Sequence, residues 1–125
     1  MNTPPVFAIY VALLTLRWIV AEGGLAAMKT RSRQKADLLY QTIDSLPIFT
    51  TAIAKEDRSL MNAVFFMKEE ALLQPFLKTC TENGIIGVKG YRTVGGLRVS
   101  MYNALPLESV QAFCQLAKDF AQKHG

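Results

Sequence analysis

The sequence predicts an α+β fold: a two-layer sandwich in which a small, mainly antiparallel sheet carries helices on one face, preceded by an N-terminal helix. The predicted elements follow the order α-α-β-β-α-β-β-α, and strands joined by short connections pair within one sheet. Half of the 125 residues are hydrophobic and 19% are charged, an ordinary globular composition with enough apolar mass for one core.

The chain opens with a strongly apolar helix predicted over residues 4–22, which Gly23-Gly24 ends. Its apolar run at 6–20 is shorter than the roughly 20 residues that span a bilayer, and Arg17 interrupts it, so we predict no membrane partner. The predicted N-cap is Asn2 or Thr3, with Pro4 and Pro5 in the first turn.

A second helix is predicted over residues 25–44, where apolar residues recur at helical spacing: Ala36, Leu39, Tyr40 and Ile43. Its segment KTRSRQK spreads four basic residues over more than one face, which we interpret as a solvated basic surface: Lys29, Arg31, Arg33 and Lys35. Because no aromatic residue interleaves with this run to stack on bases, nucleic-acid binding is the less favoured alternative.

Strands and helices then alternate. A helix begins close to Pro75, which is not accommodated deep in a helix, and ends at Asn83-Gly84. The last helix opens with Pro106 and carries one apolar stripe, formed by Val110, Phe113, Cys114, Ala117, Phe120 and Ala121. Segments rich in β-branched and aromatic residues predict strands at 48–53, 62–67, 85–90 and 97–102.

The cysteines exclude some classes of site. Cys80 and Cys114 belong to no metal-binding motif, and the only histidine is His124, so no metal is predicted. We interpret both cysteines as reduced, buried side chains of a cytoplasmic protein.

The stretch KGYRTVGGLRVSMYNALP, at 89–106, places Arg92 and Arg98 on either side of Gly95-Gly96. Guanidinium groups bind carboxylate or phosphate through two donors, and glycines allow a ligand to approach the backbone closely. A hairpin with two surface arginines is the alternative from composition alone. Since the chain has no Walker-type loop and no nucleophile with a histidine base, the residues favour an anion-binding module without a catalytic group of its own.

Several segments resemble the phosphoserine aminotransferase family: NTPP at 2–5, AEGGLAAM at 21–28, QKADLLYQTID at 34–44, DRSLMN at 57–62 and GVKGYRTVGGLRVSMYNALPLESV at 87–110. The resemblance covers essentially all 125 residues and corresponds to the C-terminal part of these longer enzymes. They are homodimeric class V, fold-type-I aminotransferases that depend on pyridoxal 5′-phosphate (PLP).

The resemblance implies a division at residue 24. Residues 1–24 would form a connecting helix leading from the large PLP domain, and residues 25–125 the small domain. The lysine that forms the Schiff base with PLP would lie outside this chain, so the chain alone is expected to be inactive. Asn2 and Thr3 match residues that reach the cofactor phosphate of the neighbouring subunit.

The resemblance also assigns the arginines. Arg98 matches the residue that pairs with the substrate α-carboxylate, and Arg92 matches one that binds the substrate phosphate across the dimer interface. Tyr91 stands where the family usually has histidine; it offers one hydrogen bond to phosphate but no positive charge. The implied substrates are glutamate with 3-phosphohydroxypyruvate, and 2-oxoglutarate with phosphoserine. The alternative is a free-standing module that binds small anions.

Overall fold

The computed structural model describes residues 3–124 and forms two compact units, residues 1–31 and 32–125. The first unit contains helix α1 (Val6–Ala21), in which no residue is buried. The predicted start of this helix is wrong, because Pro5 is the N-cap and its carbonyl accepts the first helical bond from Ile9 N at 3.1 Å. Proline disfavours helical angles in the residue before it, so Thr3 and Pro4 stay outside the helix.

Helix α2 (Gly24–Ser45) begins in the first unit and continues into the second. Glu22 and Gly23 separate it from α1, and Gly23 and Gly24 have positive φ angles, +99° and +73°. The predicted apolar stripe of the second helix is confirmed, since its four members are buried: Ala36, Leu39, Tyr40 and Ile43.

The second unit is built on a three-stranded antiparallel sheet in the order β1-β2-β3. Its strands are β1 (Phe49–Thr50), β2 (Asn62–Met67) and β3 (Leu97–Ser100). Burial alternates along β2, so one face is buried and the other half-exposed. The sheet therefore has an inner face that belongs to the core and an outer face that does not.

Helices α3 (Leu73–Glu82) and α4 (Leu107–His124) share the core with α2 and the inner face of the sheet. Phe65 of β2 meets Phe113 of α4 edge to face, with ring centroids 6.3 Å apart. The predicted stripe of the last helix is confirmed in all six positions, which are Val110, Phe113, Cys114, Ala117, Phe120 and Ala121.

Helix α3 ends as predicted, just before Gly84, whose φ is +74°. Gly84 N donates to Thr81 O at 3.0 Å and Ile85 N donates to Cys80 O at 2.8 Å, which is the hydrogen-bond pattern of a Schellman motif. Both cysteines are free thiols buried in the core, as predicted.

The strand predicted at 85–90 is wrong, because this segment contributes only one isolated bridge, between Lys89 and Leu97. Gly87 has a φ of +77°, a left-handed angle that interrupts an extended strand. The strand predicted at 48–53 shortens to β1 because the Thr51 hydroxyl accepts a bond from Ile53 N at 3.3 Å, which turns the chain.

The interpretation of the basic run as a wholly solvated surface is wrong at Lys35. Its side chain is only 1% exposed, and Nζ donates to Tyr102 O at 2.6 Å and Leu105 O at 3.0 Å. Lys29, Arg31 and Arg33 are exposed, as predicted.

Across residues 3–124, no single helix is long and apolar enough to cross a membrane. The bent pair of α1 and α2 meets the length and composition criteria when the two helices are taken together.

Candidate anion-binding site

Arg98 lies on the sheet's outer face, in the edge strand β3. It is directly opposite Val64 in the β2–β3 register, and its backbone N donates to Val88 O at 2.7 Å. Because side chains alternate along a strand, the buried Leu97 faces the core while Arg98 shares the outer face with Val64. The base of this side chain is thus held by backbone hydrogen bonds on both sides of β3.

The Arg98 guanidinium makes no ion pair or hydrogen bond with any residue in the described range 3–124. Its Nε is buried and lacks an acceptor, although the residue as a whole is half-exposed. A charged donor withdrawn from water without an acceptor is unfavourable. This geometry is suited to an external carboxylate or phosphate.

Arg58, in the same unit, shows the opposite arrangement. Its two terminal nitrogens each donate to a carboxylate oxygen of Asp44 at 2.8 Å, and the guanidinium lies 4.7 Å from the Tyr40 ring centroid. The Arg58 hydrogen bond lowers the pKa of Asp44, while burial raises the pKa of Tyr40. Although Arg58 Nε also lacks an acceptor, its charge is compensated within the chain, so we assign it a structural role.

Arg92 and Tyr91 lie in the compact loop 91–95, outside any strand. Tyr91 O accepts bonds from Val94 N at 3.0 Å and Gly95 N at 2.7 Å, which makes the turn. Both side chains are exposed, and neither has a polar partner among the residues that the structure describes. The two arginines are therefore on one continuous segment, Arg98 on a rigid strand and Arg92 on a solvent-facing turn.

Gly90 and Gly96 close this loop, because Gly90 N donates to Gly96 O at 2.9 Å. A Cβ on Gly90 would lie 1.9 Å from Gly95 O. A Cβ on Gly96, whose φ is +65°, would lie 2.7 Å from Phe65 O. Of the two glycines predicted to admit a ligand, Gly96 is thus required first for the backbone crossing itself, whereas a Cβ on Gly95 would meet nothing within 4 Å.

Sequence reasoning missed two polar residues on the same outer face. Asn62 is directly opposite Ser100, and Ser100 Oγ donates to Asn62 Oδ1 at 3.1 Å. Ser100 follows Arg98 by two residues, the period that places side chains on one face of a strand, so the spacing itself was an available signal. Asn62 had no comparable signal, because its face depends on the register with β3.

Thr3 is exposed at the N-terminal side of α1, in the first unit, and Asn2 lies outside the described residues. Helix α1 has no side-chain cap, and its first N–H group, that of Val6, donates to Pro4 O at 2.8 Å. The Thr3 hydroxyl makes no hydrogen bond in the described part of the chain. Such a terminus is compatible with a phosphate group.

In the range 3–124 no group of three or more His, Cys, Asp or Glu residues could hold a metal ion.

Comparison with known proteins bears on the class of enzyme. The family model of class V aminotransferases matches residues 1–113. The phosphoserine aminotransferase of Bacteroides thetaiotaomicron is 52% identical over 125 residues, covering 98% of this chain and 35% of the relative. That of Aromatoleum aromaticum is 42% identical and covers 100% of this chain and 34% of the relative. The chain thus spans about a third of the length of these relatives.

Solved structures similar to this chain are of the same enzyme as these relatives. Phosphoserine aminotransferase from Bacillus circulans subsp. alkalophilus superposes with a TM-score of 0.94 at 40% identity, covering 99% of this chain and 35% of that one. The PLP-bound enzyme from Trichomonas vaginalis gives a TM-score of 0.87 at 43% identity, covering 94% of this chain and 34% of that one.

The match of the family model over residues 1–113, together with the α+β fold, shows that this chain belongs to the class V aminotransferase family. Within that family it is similar to phosphoserine aminotransferase, and the resemblance predicted from the sequence is confirmed.

Proposed function

We propose that this chain is the small-domain part of a PLP-dependent phosphoserine transaminase. The whole enzyme would transfer an amino group between glutamate and 3-phosphohydroxypyruvate in serine biosynthesis, and act on a related phosphorylated keto acid in vitamin B6 biosynthesis. The observation that carries the proposal is Arg98, a half-buried guanidinium without an acceptor among residues 3–124, in a chain 52% identical to such an enzyme.

The two arginines would bind opposite ends of the substrate. Arg98, fixed in β3, would bind the α-carboxylate, while Arg92 and Tyr91, exposed in the turn, would bind the phosphate across a homodimer interface. Hydrogen bonds to charged groups contribute about 1.5–3 kcal/mol each. Losing Arg92 would therefore weaken discrimination in favour of the phosphorylated substrate, whereas losing Arg98 would weaken the binding of any substrate through its α-carboxylate.

PLP, when bound, supplies the electron sink for transamination. Among the residues of this chain, Asn2 and Thr3 would hold its phosphate, with Thr3 offering a hydroxyl beside an uncapped helix N-terminus. The lysine that binds the cofactor would lie in the part of the relatives that this chain does not cover.

Residues 1–24 would form a connecting helix and residues 25–125 the small domain. The support is that α1 has no buried residue, although its side chains are almost all apolar. A large apolar surface rarely stays exposed to solvent. We therefore infer that the remaining two thirds of the protein packs against α1. Two buried free thiols are consistent with a cytoplasmic protein.

The test joins this chain to the uncovered part of the Bacteroides thetaiotaomicron relative and assays transamination of 3-phosphohydroxypyruvate by glutamate. We expect the joined protein to be active and the isolated chain to show no transamination above the rate given by free PLP. Arg98→Ala should lower kcat/KM about 10- to 150-fold, the equivalent of one hydrogen bond to a charged group. Arg33→Ala, an exposed arginine, is the control.

Full activity of the joined Arg98→Ala variant would contradict the assignment of Arg98. Turnover by the isolated chain would contradict the proposal that its chemistry depends on the uncovered part. Tight binding of small anions by the isolated chain, without any gain on joining, would favour the free-standing module instead.

A further inference from the structure

We propose that Asn62 is a second donor at the Arg98 site, its amide Nδ2 binding the same substrate carboxylate as the guanidinium. The inference rests on the proposed function, because it requires Arg98 to bind a carboxylate. It adds a specificity-determining residue from a different strand.

The sheet register places the two side chains within reach of one ligand. Asn62 pairs with Ser100 and Arg98 pairs with Val64, so Asn62 and Arg98 are diagonal neighbours on the outer face. Diagonal neighbours in antiparallel strands are about 7–8 Å apart, a distance that a long side chain such as arginine spans. A carboxylate bound to the guanidinium would thus have its second oxygen near Asn62.

The Asn62 amide is oriented by its neighbour. Ser100 Oγ donates to Asn62 Oδ1 at 3.1 Å, so the acceptor of the amide is engaged inside the sheet. Nδ2, which carries two donors, has no partner in the described part of the chain. The Asn62 amide therefore has its two Nδ2 donors available on the outer face.

The backbone of Asn62 is fixed as well. Ser59 Oγ accepts bonds from Met61 N at 3.1 Å and Asn62 N at 3.2 Å, and Met101 N donates to Met61 O at 2.7 Å. Fixed donors on two strands define both the position and the plane of a carboxylate. A free amide donor held in place before the ligand arrives is the pattern expected of a binding residue.

The experiment is a titration of the ¹⁵N-labelled joined protein, free of PLP, with sodium L-glutamate at constant ionic strength, balanced with sodium chloride. The observed signals are Arg98 Nε–H and the side-chain amide of Asn62. We expect both to move with one dissociation constant. Asn62→Ala should raise that constant about two- to tenfold, the effect of one ordinary hydrogen bond.

Asn62→Asp keeps the acceptor for Ser100 but places a negative charge beside Arg98, and it should abolish the glutamate-dependent shift of Arg98 Nε–H. Gln41→Ala removes an exposed amide side chain on α2; it is the control and should change nothing in the titration. The backbone amide spectrum of each variant verifies the fold independently of the ligand.

The outcomes separate this inference from the proposed function. A shift of Arg98 alone, with an unchanged constant in Asn62→Ala, overturns the role of Asn62 and leaves that of Arg98 in place. If neither signal moves at saturating glutamate or phosphoserine while the joined protein is folded, Arg98 is not an anion site, and this inference fails together with the assignment of Arg98. Transamination by the joined protein tests the proposed function separately.

Discussion

At the residue scale, three cations of the second unit differ in their partners. Lys35 donates to two backbone carbonyls and Arg58 to a carboxylate, whereas the Arg98 guanidinium has no acceptor within residues 3–124. Removing a partner from a satisfied cation costs stability, while adding an anion to an unsatisfied one gains binding energy. The first two are thus structural, and the third is available to a ligand.

Replacing Lys35 by methionine should destabilise the fold. The side chain keeps most of its length, but the carbonyls of Tyr102 and Leu105 lose a charged donor in a buried site. We expect the free energy of unfolding to fall by about 2–3 kcal/mol, measured by urea denaturation. Arg33→Met, at an exposed position of the same helix, should stay within about 0.5 kcal/mol of the parent; equal losses in both variants would contradict the buried role of Lys35.

Lys35 also shows what the sequence could have predicted. It precedes Leu39 by four residues, so it lies on the buried face of α2, and this spacing was visible. Its acceptors are carbonyls about 70 residues away in the chain, which no local pattern reveals. The proposed role of Asn62 was likewise not predictable from local sequence, because it depends on the register of β2 with another strand.

At the element scale, helices were predicted well and strands less so. The stripe of α4 follows from a period that one helix carries alone, and all six of its members are buried. The segment 85–90 has strand-like composition, but left-handed Gly84 and Gly87 keep it out of the sheet apart from one bridge. Composition does not reveal which glycines take positive φ, since tertiary contacts decide it.

Two glycines of the loop provide a test of the backbone crossing. Gly96→Ala should lower the free energy of unfolding by more than about 2 kcal/mol, because it combines a left-handed φ with contacts of 2.5 Å to Phe66 and 2.7 Å to Phe65 O. Gly95→Ala has a similar φ of +75° but nothing within 4 Å, so it should cost about 1–2 kcal/mol. Thermal or urea unfolding measures both; equal costs would show that the close approach at Gly96 is unimportant.

At the scale of the whole molecule, the Asp44–Arg58 pair makes global stability depend on pH. The pKa of Asp44 is lower in the folded protein than its ordinary value of 3.8, so the pair stabilises the fold fully above that pH. The contribution is lost as the pH falls below 3.8 through the folded pKa.

We therefore expect Asp44→Asn to be less stable than the parent at neutral pH and the difference to shrink as the pH falls below 3.8. Urea unfolding at pH 7 and near pH 3 measures it. Asp37→Asn, at an exposed position of the same helix, is the control and should follow the parent at both values. A difference that stays constant from pH 7 to pH 3 would contradict the linkage.

The short β1 has a consequence for aggregation. An open sheet edge is a template for pairing with other chains, but β1 exposes only two residues there. The opposite edge, on β3, is occupied near its start by the Lys89 bridge and the bond from Arg98 N to Val88 O. Self-association of this chain should therefore proceed through the side chains of α1, as amorphous clusters that detergent disperses, rather than as ordered cross-β fibrils.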